Sequence, residues 1–176
     1  VKKILLISSD KAVSPVNLYG ATKLCAEKLF LSANSIAGKN STFSIIRYGN
    51  VYASRGSLFE IIDKNYVIEI TDPNMTRFHL LPIKAIKDSY FALKNMKGSE
   101  IFVPKIKSYR LGDVMKIFRN KKFKIIGKQK GEKVHESLIS IDESLNIFEN
   151  KKFFILSTKS IYKGYKKSSL KEQYTS

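Results

Sequence analysis

The fold of this 176-residue chain is decided by residues 1–38, which read VKKILLISSDKAVSPVNLYGATKLCAEKLFLSANSIAG. The apolar run at residues 4–7 does not alternate with polar residues, which is typical of a strand buried on both faces of a parallel sheet. A helix is predicted after Asn17, where apolar residues recur at threes and fours, and Gly38 ends it. We predict that this helix buries a stripe made of Ala21, Leu24, Cys25, Leu29, Ala33 and Ile36. The stretch therefore predicts an α/β fold.

Two side chains on the first turns of this helix point to chemistry. Tyr19 and Lys23 lie four residues apart, so they share one helical face. An ammonium beside a phenol favours the phenolate, which can accept a proton. An isolated Tyr and Lys at this spacing are more often a surface pair. Here Ser9 ends the preceding strand ten residues before Tyr19, and this context favours a functional site. In open α/β sheets, ligands bind at that rim, so we predict a site there.

Five motifs extend the pattern along the chain. They are SSDKAVSPVNLYGATKLCAEKLF at 8–30, RYGNVYASRGS at 47–57, ITDPNMTRF at 70–78, EIFVPKI at 100–106 and GEKVHE at 131–136. Together they resemble the UDP-N-acetylglucosamine 4,6-dehydratases that invert C5, a family of extended short-chain dehydrogenase/reductases that begins pseudaminic acid synthesis for bacterial surface and flagellar glycans. Asp10 is followed by Lys11 where retaining dehydratases carry Asp-Glu, and Tyr19 stands where membrane-anchored relatives tend to have Met.

The resemblance implies a catalytic set made of Ser9, Asp10, Lys11, Tyr19 and Lys23, with NADP as the cofactor. In that family Tyr19 would take the proton of the sugar C4 hydroxyl, Lys23 would hold the cofactor ribose, and Ser9 would hydrogen-bond the same C4 oxygen. Lys11 would remove the C5 proton and Asp10 would protonate the departing C6 hydroxyl. The resemblance therefore implies a transient oxidation followed by loss of water.

The resemblance also implies binding residues outside the catalytic set. It adds cofactor contacts at Tyr48, Asn50 and Val51 to those of Tyr19 and Lys23. It gives substrate contacts to Asn50, Arg55, Arg77 and Glu132. A solvated or salt-bridged arginine, and a Glu132 paired with a nearby lysine, are the alternatives for these positions. Ala53 occupies a position that is usually glycine, so a positive φ there would be strained.

The domain organisation follows from what the sequence lacks. No glycine-rich turn opens the chain, and no acidic residue follows one at the distance that takes a ribose hydroxyl. We therefore expect a fragment: the C-terminal part of a Rossmann-like doubly wound parallel sheet plus a small α/β substrate-binding lobe, with the N-terminal nucleotide-binding strands missing. The predicted boundaries are 1–66 for the dinucleotide-binding part, 67–156 for the lobe and 157–176 for a poorly ordered basic tail. The missing half and a second copy of the chain are the expected protein partners.

Composition limits the other functions. The chain has 32 Lys and Arg against 15 Asp and Glu, a net charge of +17, but the charges are scattered, so we expect no nucleic-acid partner. The single cysteine, Cys25, is predicted to be in the core and fits a cytoplasmic location. The sequence contains no stretch of eighteen apolar residues, so no membrane span is predicted. No second histidine or carboxylate stands at metal-ligand spacing from His79, so no metal site is predicted there. Another extended-type epimerase or reductase, or a non-catalytic basic binding module, remain the alternatives.

Overall fold

The computed structural model describes residues 1–38, 40–157 and 163–176. The helices are α1 (Leu18–Ala37), α2 (Leu58–Lys64), α3 (Pro82–Asn95) and α4 (Leu111–Ile117), with 3-10 turns at Asp10–Ala12 and Asp142–Asn146. The strands are β1 (Lys3–Ser9), β2 (Thr42–Tyr48), β3 (Asn50–Val51), β4 (Val67–Ile70), β5 (Thr76–Leu80), β6 (Ile101–Pro104), β7 (Lys107–Arg110), β8 (Lys122–Ile125), β9 (Ser137–Ile139), β10 (Ile147–Glu149), β11 (Phe153–Leu156), β12 (Lys166–Lys167) and β13 (Tyr174–Thr175).

The main sheet has six strands in the order β1-β2-β6-β11-β10-β12. Strands β1, β2 and β6 are parallel, with Leu6 opposite Ile45 and Ile45 opposite Ile101. Strands β11, β10 and β12 continue the sheet in antiparallel pairing. The apolar run at residues 4–7 lies in β1, beside β2, and the carboxyl ends of these two strands lie at one edge of the sheet. The predicted burial of this run on both faces is wrong, because residues 4–6 are only partly buried and Ile7 is 50% exposed.

Helices α1 and α3 cover opposite faces of this sheet. Phe30 and Leu31 of α1 pack on the core cluster that contains Ile45. Ala92 of α3 belongs to the cluster that contains Ile46, on the other face of the same strand. Because successive residues of a strand point to opposite faces, the two helices must lie on the two sides of the sheet. This is the doubly wound arrangement that the sequence predicts.

The predicted inward face of α1 is wrong for three of its six residues, whereas the other three, Ala21, Leu24 and Ala33, are partly buried. Cys25 is exposed, Leu29 is 70% exposed and Ile36 is 87% exposed. The buried residues of α1 are Gly20 and Glu27 instead. The helix turns this way because the Glu27 carboxylate binds the buried guanidinium of Arg47, at 2.8 Å from Nε and 2.7 Å from Nη2. A paired charge thus occupies the place that the pattern gave to apolar residues.

A smaller lobe sits beyond the carboxyl edge of the sheet. Strand β5 pairs in parallel with β3 and antiparallel with β7, while β4 and β8 form a separate parallel pair. Helices α2 and α4 and strand β4 share an apolar cluster formed by Ile62, Ile68, Ile70, Met75, Leu111 and Val114. The chain passes back from this lobe into the main sheet through β6, β10 and β11.

The prediction of a poorly ordered tail over 157–176 is corrected for residues 163–176; residues 158–162 lie outside the described residues. Strand β12 pairs with β10, and β13 pairs with β9. The Tyr174 ring packs against Phe78 and Phe154, and its hydroxyl donates to the Ile106 carbonyl at 2.8 Å. The lysine-rich composition of the segment predicted disorder because it gave no indication of these contacts of Tyr174. Among the described helices, none combines the length and apolarity needed to cross a bilayer.

Candidate active site

The carboxyl end of β1 forms a tight turn that carries two charged residues. Ser9 caps the 3-10 turn, because its Oγ accepts a hydrogen bond from the Lys11 backbone N–H at 3.0 Å. The Asp10 side chain is fully buried, and its Oδ1 lies 3.0 Å from the Lys11 Nζ. The turn therefore holds an acid and an amine in hydrogen-bond contact.

The first turn of α1 packs directly on this turn. Asn17 caps the helix, because its Oδ1 accepts from the Gly20 N–H at 2.9 Å. A Cβ on Gly20 would lie 2.3 Å from the Lys11 carbonyl oxygen and 2.9 Å from the Pro15 Cβ. Only glycine allows this approach, so Gly20 brings the helix that begins at Leu18 against the Asp10–Lys11 pair.

Tyr19 and Lys23 lie together on α1. The Lys23 Nζ is 5.9 Å from the centroid of the Tyr19 ring. Tyr19 is 53% exposed, and Lys23 is partly buried. The pair thus sits on an open face, next to the turn that carries Asp10 and Lys11, where a ligand could reach the phenol.

Glu136 is a charged neighbour of the site that the sequence analysis did not select. The residue is only 5% exposed, its Oε1 lies 3.9 Å from the Lys11 Nζ, and its Oε2 lies 3.9 Å from the Lys133 Nζ. Burial, followed by the nearby Asp10 charge, raises the pKa of the Glu136 carboxyl above its usual value, against the opposing effect of the cations. A signal was present, since Glu136 ends the GEKVHE motif and immediately precedes the buried strand β9.

Three buried oxygen atoms in this region make no hydrogen bond within the described residues. They are Asp10 Oδ2, Glu136 Oε2 and Asn50 Oδ1. A buried polar atom without a partner costs about 1–3 kcal/mol, so native structures keep few of them. Such atoms mark a place where a ligand or water could supply the missing donors. Within the same described ranges, no three His, Cys, Asp or Glu side chains are arranged to hold a metal ion.

The loop that leaves β2 lies beside Asp10. A Cβ on Gly49 would be 3.1 Å from Asp10 Oδ2 and 2.3 Å from the Phe78 Cβ, so this position needs glycine. Tyr48, Asn50 and Val51 are all partly buried on either side of Gly49, at the ends of β2 and β3. The structure therefore brings the predicted cofactor contacts of this loop to the same edge of the sheet as Asp10.

The rest of the loop runs away into solvent. Ala53 has a φ of +53°, the left-handed conformation that glycine tolerates best, so the strain expected at this position is present. The predicted substrate residue Arg55 is exposed. A cavity of about 630 Å³ opens beside this loop, lined by Tyr52, Ala53, Phe59, Glu60, Ile62, Asp63, Phe118, Asn120 and Lys121. It lies in the small lobe and not at Tyr19 and Lys23.

The two other predicted substrate residues take different positions. Arg77 on β5 donates to the Thr76 carbonyl at 2.7 Å and the Val134 carbonyl at 3.2 Å, and its charge acts on Glu136. Glu132 instead accepts from the Gln129 backbone N–H at 3.1 Å within its own loop. The structure thus groups Arg77 with the buried charges and leaves Glu132 in a local turn contact.

Comparison with known proteins gives relatives of two kinds. Residues 1–158 match the family described as polysaccharide biosynthesis protein. The chain is 43% identical over 164 residues to UDP-N-acetylglucosamine 4,6-dehydratase (inverting) of Campylobacter jejuni subsp. jejuni serotype O:23/36 (strain 81-176), covering 89% of this chain and 49% of that protein. It is 33% identical over 194 residues to UDP-glucose 4-epimerase of Rickettsia bellii (strain OSU 85-389), covering 100% of this chain and 57% of that protein. The chain therefore spans about half the length of the curated relatives it matches.

Solved structures give the same fold. The X-ray structure of Pen from Bacillus thuringiensis superposes with a TM-score of 0.91 at 37% identity, covering 99% of this chain and 57% of that one. DesIV, a dTDP-glucose 4,6-dehydratase from Streptomyces venezuelae, shares the fold alone, with a TM-score of 0.68 at 13% identity over 75% of this chain and 49% of that one. The predicted Rossmann-like α/β fold class and the resemblance to the inverting dehydratases are confirmed. The chain belongs to the polysaccharide biosynthesis protein family.

Proposed function

We propose that this chain is the part of a nucleotide-sugar 4,6-dehydratase that acts on UDP-N-acetylglucosamine and inverts C5. The observation that carries the proposal is the packing of α1, with Tyr19 and Lys23, onto the turn in which Asp10 and Lys11 are paired at 3.0 Å. The 43% identity to an enzyme of that name supports the choice of reaction. Pseudaminic acid synthesis for flagellin and surface glycans, and a cytoplasmic location that a single cysteine suits, are parts of the same proposal.

The first step uses the residues on the open face of α1. Tyr19 accepts the proton of the sugar C4 hydroxyl, and Ser9 hydrogen-bonds the same oxygen. Lys23, near the Tyr19 ring, favours the phenolate and holds the cofactor ribose. A nicotinamide cofactor, which we propose is NADP, would supply the hydride chemistry when bound, as acceptor for the C4 hydride and donor to C6. Tyr48, Asn50 and Val51 are proposed to contact it from the loop after β2.

The second step uses the ion pair of Asp10 and Lys11. Transfer of one proton from the Lys11 ammonium to the Asp10 carboxylate, over 3.0 Å, gives an amine base beside a carboxylic acid. Lys11 then removes the C5 proton, which the C4 ketone has made acidic. Asp10 protonates the C6 hydroxyl, so that C6 loses water and a C5–C6 double bond forms. Hydride addition at C6 and protonation of C5 on the opposite face complete a net loss of one water.

Substrate binding is proposed at four residues. Asn50 offers a buried Oδ1 without a partner in the described residues, suited to a sugar hydroxyl. Arg77 and Arg55 are the cations proposed for the diphosphate, since a planar guanidinium with several N–H donors matches the several acceptor oxygens of a phosphate. Glu132 is the fourth, and its place in the loop that packs on Asn17 supports a position near the mouth of the site.

Two protein partners belong to this proposal. Among the strands of the described ranges, β1 has a neighbour on one side only, and its apolar Ile7 is half exposed. We propose that the nucleotide-binding strands of a Rossmann-like sheet pair along this free edge. A second copy of the chain is proposed on the outer face of α1, where Leu18, Cys25, Leu29 and Ile36 recur at fours and sevens and are exposed.

The test is a reconstituted reaction. The chain is combined with a nucleotide-binding half from a full-length relative, NADP and UDP-N-acetylglucosamine, and the 4-keto-6-deoxy product is followed by mass spectrometry, with its C5 configuration assigned by NMR. Tyr19→Phe should lower the rate by about 10²-fold or more, because the proton acceptor is lost. Tyr66→Phe, an equally conservative change at an exposed tyrosine in the other lobe, is the matched control.

The same assay separates the second candidate, a nucleotide-sugar 4-epimerase. Full-length coverage of this chain by the epimerase of Rickettsia bellii favours that candidate. A product with the mass of the substrate and an inverted C4 would support the epimerase and contradict the dehydratase, whose product is lighter by one water. A folded complex that gives neither product would contradict both, and salt-sensitive binding to nucleic acid would then favour a basic binding module.

A further inference from the structure

Glu136 stands out among the buried charges because its partners are held at a distance. Its residue is 5% exposed, and both carboxylate oxygens lie 3.9 Å from a lysine ammonium, Lys11 for Oε1 and Lys133 for Oε2. Its Oε2 has no hydrogen-bond partner within the described residues. A carboxylate buried only for stability is expected to have closer partners, so this geometry needs another explanation.

The backbone around Glu136 is fixed from two sides. The Glu136 N–H donates to Ser176 Oγ at 3.0 Å, and its carbonyl accepts from the Ser176 N–H at 2.8 Å. Lys133, which precedes it in the same loop, donates to the Val13 carbonyl at 2.5 Å, just after the turn of Asp10 and Lys11. The Glu136 side chain is therefore placed against that turn by contacts that do not involve its own carboxylate.

We infer that Glu136 is a positioning residue that holds the Lys11 ammonium jointly with Asp10 and so controls how readily Lys11 becomes a free amine. The inference rests on the proposed function, in which Lys11 is the base. The charged or titratable groups that face Glu136 are Asp10 and Lys11 on the turn, Arg77 on β5 and Lys133 in its own loop. Of these, Lys11 is the one that the proposed reaction requires without its proton.

The physical argument is electrostatic. An anion 3.9 Å from an ammonium favours the charged amine, and because the Lys11 side chain is 33% exposed the effect is that of a pair near the surface. Burial and the Asp10 charge raise the pKa of Glu136, so Glu136 can take up a proton where an exposed glutamate would not. Protonation of Glu136 removes its hold on Lys11.

The test measures the reactivity of the Lys11 amine, which needs neither cofactor nor substrate. The 176-residue chain is treated with succinimidyl acetate between pH 7 and 10, and acetylation of Lys11 is read by peptide mass spectrometry relative to exposed Lys2. Only the uncharged amine reacts. Glu136→Gln should speed Lys11 acetylation at pH 8 roughly fivefold or more, the effect of one unit charge at about 4 Å in water. Glu136→Asp, which keeps the charge, should stay within about twofold of the wild type.

Glu69→Gln is the matched control, because Glu69 also faces a lysine, Lys124 at 3.1 Å, but on the exposed surface of the small lobe. Equal rates of Lys11 acetylation in wild type and Glu136→Gln would overturn the inference. An acceleration of Lys11 acetylation in Glu69→Gln as large as that in Glu136→Gln would also overturn it. In the reconstituted reaction, Glu136→Gln should also move the acidic limb of the pH–rate profile to lower pH. Altered Lys11 reactivity in a complex without turnover would leave this inference standing while contradicting the proposed function.

Discussion

Two buried charge clusters lie close together in this protein and are built in opposite ways. The Arg47 cluster, made of Arg47, Glu27 and Glu143, uses every guanidinium N–H, in hydrogen bonds of 2.7 to 3.2 Å to the two carboxylates and the Leu138 carbonyl. The Lys11 cluster, made of Asp10, Lys11 and Glu136, leaves Asp10 Oδ2 and Glu136 Oε2 without hydrogen-bond partners among the described residues. The saturated cluster has no capacity left for a ligand, and the unsaturated one does.

The Arg47 cluster fastens the helix that the proposed chemistry needs. Arg47 lies on β2, Glu27 on α1 and Glu143 on the second 3-10 turn, and the Ser8 hydroxyl of β1 also donates to Glu27 at 2.5 Å. The carboxylates outweigh the effect of burial and raise the pKa of Arg47 further, so it stays charged. The cluster therefore fixes α1 against β1 and β2, and with it the position of Tyr19.

The largest expected effect is on stability and comes from breaking the saturated cluster. Arg47→Met keeps the length of the side chain but leaves the Glu27 carboxylate buried without a counter-charge. We expect the free energy of unfolding to fall by about 3–5 kcal/mol, the usual cost of removing one partner of a buried pair. Urea unfolding followed by circular dichroism measures it.

Arg110→Met is the control for that substitution. Arg110 pairs with Asp113 at 3.1 Å, and both side chains are about half exposed. A surface pair contributes about 0–1 kcal/mol, so this variant should unfold near the wild-type urea concentration. Similar losses for Arg47→Met and Arg110→Met would mean that burial and saturation do not distinguish the Arg47 cluster.

The sequence could predict the sheet better than the helix faces. The apolar run at residues 4–7 identifies β1 as a strand of a parallel sheet without information from elsewhere in the chain, although the run is only partly buried. The inward face of α1 depends on the pairing of Glu27 with Arg47, which lies twenty residues later in the chain. The apolar pattern of the helix does not indicate this pairing. The anchoring of residues 163–176 likewise depends on Tyr174 finding Phe78 and Phe154, far away in the sequence.

The candidate site divides along the same line. Ser9, Asp10, Lys11, Tyr19 and Lys23 lie within fifteen residues, so motif and spacing were enough to select them. Glu136 ends the GEKVHE motif, but its approach to the turn arises from the tertiary packing of β9 against Asp10–Ala12, which the motif does not report. Gly20 and Gly49 are similar cases, because their need for glycine arises from contacts with Lys11 and with Asp10 and Phe78.

A smaller effect is expected when the unsaturated cluster is changed. Asp10→Asn removes a buried charge that has one free oxygen, so relief of desolvation offsets the lost pairing with Lys11. We expect a free energy of unfolding within about 1 kcal/mol of the wild type, whereas product formation in the reconstituted reaction is lost. Glu27→Gln, in the saturated cluster, is the matched comparison and should cost clearly more stability. A loss as large for Asp10→Asn would assign both clusters to folding.

The smallest and most specific effect is a difference in pH dependence between Glu136 and Glu143. Burial, then Asp10, raises the pKa of Glu136 above 4.5 in the folded chain, so its contribution to stability is present below the unfolded value and is lost as the pH rises through the folded value. Burial also acts to raise the pKa of Glu143, but the Arg47 hydrogen bonds outweigh it and the net pKa is lowered. Its contribution is present above 4.5 and is lost as the pH falls through the folded value.

Urea unfolding from pH 3 to 8 in Glu136→Gln and Glu143→Gln would separate these two contributions. Glu136→Gln should gain stability relative to the wild type as the pH rises above 4.5, because glutamine does not have to lose a proton in a buried place. Glu143→Gln should lose stability relative to the wild type over the same range, because the anion that binds Arg47 is gone. If the two difference curves ran in the same direction, the contrast between a saturated and an unsaturated cluster would not hold. That contrast requires hydrogen-bonded carboxylates at Arg47 and, at Glu136, cations no closer than 3.9 Å.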